Sequence, residues 1–136
     1  MDVKQKLTEY VKEIDQKLAD YFDSEIALNF GFNQRQKEVA RDTLLHSKEH
    51  NLRTSKRLRG SFVHYGYLLG GKEINQKVWD AAMGVELIHT ALLMHDDIED
   101  RDDIRRGGPT THKFYEAKFN SLHLGTGMGI NVGDTV

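Results

Sequence analysis

Cysteine is missing from all 136 residues, and proline occurs once, at Pro109. The first absence excludes a disulfide framework and a thiolate metal site. The second, together with few runs of β-branched residues, leaves little to interrupt helices and predicts an all-α fold. Long apolar runs are lacking too. The longest, Ala91-Leu92-Leu93-Met94, is far short of a membrane span, so no integral membrane segment is expected. Asp2, Lys4, Lys6 and Glu9 interrupt the apolar start that a secretory leader needs, and a cytoplasmic chain is expected. Neither sign of charge dominates. A net charge of −2 gives no reason for nucleic acid or an anionic membrane to be the main partner. What is present, 29% charged and 38% hydrophobic residues, describes a soluble globular chain of one-domain size.

Apolar spacing divides the chain into helices. Leu7, Val11, Ile14, Leu18, Tyr21 and Phe22 form one stripe of an amphipathic helix with Asp2 at its N-cap position. A second helix is predicted from just after Asn33 to about His46, followed by a polar connection over Ser47 to Ser55. A third runs from Gly60 to the stop at Gly70-Gly71. The fourth begins near Asn75 and is apolar on so many sides, from Val78 to Met94, that it reads as a central helix. An acidic run and the turn Arg106-Gly107-Gly108-Pro109 follow it. Between Leu124 and Val136 no helix ending is visible, so the chain reads as part of a larger fold.

Asp96, Asp97 and Asp100 make the pattern D-D-x-x-D, with Glu99, Asp102 and Asp103 beside it. On a helix, His89, Leu93, Asp96 and Asp100 share a stripe about 60° wide, so an apolar face runs into carboxylates one turn apart. Such carboxylates repel one another, and a hard cation relieves the repulsion. Magnesium takes oxygen ligands and is usually completed by waters and substrate phosphates, so the spacing suits a metal–diphosphate. A solvated acidic helix end is the plain alternative. It would oppose the helix dipole and require compensation. An EF-hand is excluded, because neither Asp96 nor Asp100 as first residue places glycine sixth. Cations lie on both sides: Arg105 and Arg106 after the acidic run, and Arg53, Lys56, Arg57 and Arg59 ahead of the third helix. Guanidinium forks and a lysine charge clamp diphosphate oxygens, although a basic surface patch has the same composition.

The stretch from Glu86 through His89, Asp96, Asp97, Asp100, Arg105 and Arg106 to Pro109-Thr110 resembles the first aspartate-rich region of trans-polyprenyl (geranylgeranyl-type) diphosphate synthases. Lys56-Arg57-Leu58-Arg59 resembles that family's upstream basic motif, and Asn131-Val132-Gly133-Asp134 resembles the glycine–aspartate that opens its next helix. The resemblance implies the N-terminal part of an isoprenoid synthase-type helical bundle, belonging to one domain and cut before the second aspartate-rich motif. It further implies a head-to-tail prenyltransferase that joins an allylic diphosphate to isopentenyl diphosphate, in a homodimer. Asp96, Asp97 and Asp100 would bind Mg²⁺ carrying the allylic diphosphate, with Arg105 assisting. Lys56, Arg59, His89 and Arg106 would hold isopentenyl diphosphate. Neutralised by metal and cations, the diphosphate departs, the isopentenyl double bond attacks the allylic cation, and a proton is lost. Apolar walls such as Leu93 would keep water from the cation. Ala91 and Leu92 occupy the positions where short-chain members carry aromatics, which implies a product longer than fifteen carbons.

The sequence departs from the family at Thr54-Ser55, where two glycines are usual, and at Gly60, which replaces a proline. The second aspartate-rich motif and the downstream lysine and threonine are absent, so these residues alone are not expected to turn over substrate. Two rival readings remain. Ala91 to Ile98 also resembles the helix of H-D metal phosphohydrolases, which would make His95 and Asp96 ligands of a transition metal. A truncated or regulatory subunit, binding a catalytic partner, would account for the missing motif.

Overall fold

The computed structural model describes residues 2–28, 31–121 and 127–135. Its helices are α1 (Val3–Ala27), α2 (Gln34–Leu52), α3 (Leu58–Leu69), α4 (Gln76–Glu99), α5 (Thr111–Ser121) and α6 (Met128–Gly133). One hairpin of two-residue strands, β1 (Ile104–Arg105) and β2 (Gly108–Pro109), separates α4 from α5. The all-α expectation holds. Among the described residues no helix is long and apolar enough to cross a membrane. The chain forms two compact units, Met1–Leu87 and Ile88–Val136, and α4 contributes to both.

In the first unit α1 buries Tyr10, Ile14, Leu18 and Phe22, a repeat of four that keeps one face inward. Tyr10, Ile14 and Leu18 cluster with Trp79 and Ala82 of α4, flanked by Val63, Tyr65 and Leu87. Asp2 is the N-cap residue by position, but its side chain makes no capping hydrogen bond. Its carbonyl accepts the first helical bond, from the Lys6 N–H at 3.1 Å. The second helix starts after Asn33 as expected, and the reason is local. The Asn33 side chain accepts from the Gln36 N–H, and the Gln36 side chain accepts from the Asn33 N–H, each at 3.0 Å.

Its end differs from expectation. Instead of stopping near His46, α2 continues through Ser47 to Leu52. The inward face of this extension is polar, built from His46, His50 and Asn51, which apolar periodicity cannot detect. No glycine or proline interrupts it. At the next boundary Gly70 and Gly71 do end α3, their N–H groups donating to the Tyr67 and Leu68 carbonyls at 3.1 and 3.0 Å.

α4 partly departs from the central helix that its composition predicts. It buries Val78, Trp79, Ala82 and Glu86 in the first unit and Thr90, Met94 and Asp97 in the second. Ile88 and Leu92 on its other face are 64% and 58% exposed.

His64, packed against Trp79 with ring centroids 4.6 Å apart, is held below the ordinary imidazole pKa by burial. A histidine whose folded value is depressed is protonated first in the unfolded chain. Its contribution is therefore complete above about 6.5 and is lost as pH falls through the folded value. Melting temperature should decline as pH drops below 6.5, and His64→Gln should flatten that slope. An equal slope in the variant would assign the decline to other groups.

Candidate functional site

The acidic motif lies where α4 ends, and the ending is specified in detail. Arg101 adopts the left-handed conformation, with φ of 59°. Its N–H donates to the Ile98 carbonyl at 3.3 Å, and the Asp102 N–H donates to the Asp97 carbonyl at 2.9 Å. These two bonds make a Schellman motif with Arg101 in the place usually taken by glycine. A third bond, from the Asp100 N–H to the Asp96 carbonyl at 2.8 Å, keeps Asp96 and Asp100 one helical turn apart.

The three aspartates have different environments. Asp96 and Asp100 are exposed, whereas the Asp97 side chain is completely buried. Arg105, on the first strand of the hairpin, points its guanidinium at Asp97. Its Nε donates to Asp97 Oδ1 at 2.6 Å, Nη2 pairs with the same oxygen, and Nη2 reaches Asp102 Oδ2 at 3.2 Å. Hydrogen bonding to Asp97 holds the Arg105 guanidinium above its ordinary pKa. This pair supplies the compensation that an acidic helix C-terminus requires.

The other oxygen of Asp97, Oδ2, is buried with no hydrogen-bond partner among the described residues. A buried carboxylate oxygen without a donor fits a cation or an ordered water. The donor set (carboxylate oxygens alone) has the hardness that magnesium prefers. Among the described residues no group of three His, Cys, Asp or Glu side chains converges as a metal cage. His95 pairs with Asp134, Nδ1 to Oδ1 at 3.2 Å, and no third ligand joins His95 and Asp96 among the described residues.

Arg106 and Gly107 form the hairpin turn with φ of 50° and 79°, two consecutive positive values as a type I′ turn requires. Ile104 pairs with Pro109 and Arg105 with Gly108, so the Gly-Gly-Pro punctuation closes a hairpin rather than an open turn. Thr110 locks its far end. Buried completely, it donates through Oγ1 to the Asp102 carbonyl at 2.8 Å and through N–H to the Asp103 carbonyl at 3.0 Å. Its carbonyl then accepts from Phe114 to begin α5. A threonine just before a helical run is a readable start signal, but its bracing of the acidic loop rests on carbonyls of Asp102 and Asp103 that no local pattern marks. Near this loop lies a cavity of 350 Å³ bordered by Ile98, Arg101, Asp103, His112 and Lys113. Among its lining residues are none of the three motif aspartates, and Lys113 is engaged by Asp103 at 3.3 Å and Glu116 at 3.1 Å.

His89, partly buried, and the exposed Ala91 and Leu92 precede the motif on α4 in the same unit. Gly133 is the last residue of α6, with Asp134 as its C-cap.

In the first unit the basic cluster separates into two kinds of residue. Lys56 and Arg59 are exposed. Arg53 is bound to Glu49 by two bonds, at 2.9 and 2.8 Å. Arg57 is 1% exposed. Its Nε donates to Asp15 at 2.7 Å, one Nη donates to the Asn51 carbonyl at 2.5 Å, and the other lies 3.6 Å from Glu86. Arg57 is therefore an interior ion and not part of a solvated basic patch. Glu86 also accepts the Gly60 N–H at 2.7 Å. A Cβ at Gly60 would meet the Tyr10 hydroxyl at 2.5 Å, so glycine in place of the family's proline has a local cause.

Residues 41–136 match the model of a family described as polyprenyl synthetase. A short chain isoprenyl diphosphate synthase of Methanocaldococcus jannaschii is 36% identical over 106 residues, 77% of this chain and 27% of that protein. A geranylfarnesyl diphosphate synthase of Aeropyrum pernix is 42% identical over 69 residues, 51% of this chain and 19% of that protein. A geranylgeranyl diphosphate synthase of Methanosarcina mazei is 47% identical over 57 residues, 42% of this chain and 17% of that protein. The chain thus spans 27% of the first relative's length and less of the other two. No solved structure matches it at a significant level.

Proposed function

The chain belongs to the polyprenyl synthetase family, and from that premise we propose that it forms the diphosphate-binding front part of a prenyltransferase. Its helices agree with the all-α isoprenoid synthase fold of that family. The reaction is the head-to-tail condensation of an allylic diphosphate with isopentenyl diphosphate, carried out by a homodimer. The observation that carries this reading is the end of α4, where exposed Asp96 and Asp100 flank an Asp97 fixed by Arg105. An acidic helix end with no task would not need an arginine hairpin to hold its middle carboxylate.

Asp96 and Asp100, exposed one turn apart, would hold Mg²⁺ against the allylic diphosphate, with the buried Asp97 held by Arg105 between them. When bound, that ion supplies charge neutralisation for the departing diphosphate. Arg105 orients Asp97 and brings a cation to the same end of the helix. Lys56, Arg59, His89 and Arg106 take the isopentenyl diphosphate, their N–H groups donating to its oxygens. Leu93 and neighbouring apolar side chains keep water from the allylic carbon. Turnover is proposed for the enzyme whose front part this is, and not for these residues alone.

Ala91 and Leu92 favour a product longer than fifteen carbons. The test uses the full-length protein with magnesium, isopentenyl diphosphate and an allylic primer, with products separated by chain length. Elongated diphosphates that need all three components support the assignment; hydrolysis without elongation overturns it. Ala91→Phe should shorten the product, and an unchanged length would remove the role given to Ala91.

A further inference from the structure

Arg57 has no part in the proposed chemistry, yet it is among the most deeply buried side chains of the first unit. It starts α3 in the left-handed conformation, with φ of 49°, between the two exposed cations Lys56 and Arg59. An arginine in that backbone conformation is disfavoured, so tertiary contacts must hold it there. The contacts are explicit. One guanidinium takes the last-turn carbonyl of Asn51 in α2, the carboxylate of Asp15 in α1 and the carboxylate of Glu86 in α4. Glu86 in turn accepts the N–H of Gly60, three residues after Arg57. Both sides of the basic segment are therefore fixed through the same two interior charges.

From this arrangement we infer that Arg57 is a positioning residue for Lys56 and Arg59. Both cations are exposed, and their backbone is what the interior contacts of Arg57 and Glu86 can preset. Pinning Arg57 from three helices, and Gly60 by Glu86, fixes the backbone on either side of Leu58-Arg59. Two cations whose Cα atoms are held can receive one diphosphate at lower entropic cost than two on a mobile loop. The inference rests on the reading that Lys56 and Arg59 bind isopentenyl diphosphate.

The test compares steady-state kinetics of the full-length protein with those of Arg57→Met, Arg57→Lys, Lys56→Ala and Arg59→Ala. Arg57→Met should raise KM for isopentenyl diphosphate roughly ten- to a hundredfold, while KM for the allylic primer stays within about twofold. Arg57→Lys should recover part of the loss, because an ammonium still reaches Asp15. A solely structural role would change folded yield or kcat without choosing between the substrates. If Arg57→Met does not fold, Asp15→Asn is read in the same way, since it removes one anchor and leaves Glu86 in place. Equal changes in both KM values, or none, in a folded variant overturn the inference while Lys56→Ala still raises KM for isopentenyl diphosphate. Lys56→Ala and Arg59→Ala that both leave that KM unmoved overturn the inference together with the reading beneath it.

Discussion

Arg105→Met is expected to destabilise the protein by about 2–3 kcal/mol and, in the proposed prenyltransferase, to lower kcat/KM for the allylic diphosphate roughly a hundredfold or more. The Asp97 carboxylate is wholly buried, and the guanidinium it accepts from is 26% exposed. Removing one partner of a fully buried ion pair costs about 3–5 kcal/mol, because the remaining charge is left without solvation. The partial exposure of Arg105 lets water replace some of what it supplied, which places the estimate at or below the low end. Methionine retains most of the side-chain stem, so the loss reports on charge and hydrogen bonding rather than on packing. The kinetic effect has a separate origin. Asp97 sits inside the Schellman ending that sets Asp96 and Asp100 one turn apart. Loosening it by an ångström would displace both exposed carboxylates, and misplacement of that size can cost a hundredfold. Urea denaturation and initial rates measure the two effects. A change below about 0.5 kcal/mol would place Arg105 among ordinary surface pairs, and the explanation of the acidic motif would then lose its central contact.

The same motif shows what a sequence can and cannot reveal. D-D-x-x-D, the Arg105-Arg106 pair and the Gly-Gly-Pro punctuation are local, and each lies within a few residues of its partner. Local too are the start of α2 just after Asn33 and the Gly70-Gly71 stop. Those features were legible because their physics is complete within one or two turns of chain. Arg57 was not. Its partner Asp15 lies 42 residues earlier and Glu86 lies on another helix, so nothing near Arg57 marks it as interior. Read locally, four cations in seven positions look like one solvated cluster. The extension of α2 was missed for a related reason. His46, His50 and Asn51 face inward there, and a polar buried face has no apolar period to detect. In Asp97 the two levels combine. Its type and spacing are visible in the sequence, but its burial depends on a hairpin that folds back through Arg105.

Glu86 is where the largest stability effect is expected: Glu86→Ala should cost about 4 kcal/mol. The Glu86 and Arg57 side chains are 2% and 0% exposed, so little solvent can take over when the carboxylate is removed. Three losses coincide. Arg57 keeps Asp15 and the Asn51 carbonyl but loses an anion, the Gly60 N–H loses its acceptor, and a cavity opens against Tyr10 and Ala82. Tyr10 provides an independent readout. Burial raises its phenol above the ordinary tyrosine pKa, with the negative charge of Glu86 the next contribution. In Glu86→Ala the titration of Tyr10 should therefore begin at lower pH, visible as phenolate absorbance. Glu86→Gln retains an acceptor for Gly60 and fills the space, so it should lose less than Glu86→Ala. The double variant Arg57→Met, Glu86→Leu gives the sharpest comparison. Replacing both members of a buried pair with apolar side chains of similar size is often close to neutral, whereas removing one is not. The double variant should therefore be more stable than Glu86→Ala. If it is instead less stable by the sum of the single losses, the two charges act independently. The interior network would then not be what holds the basic segment in place.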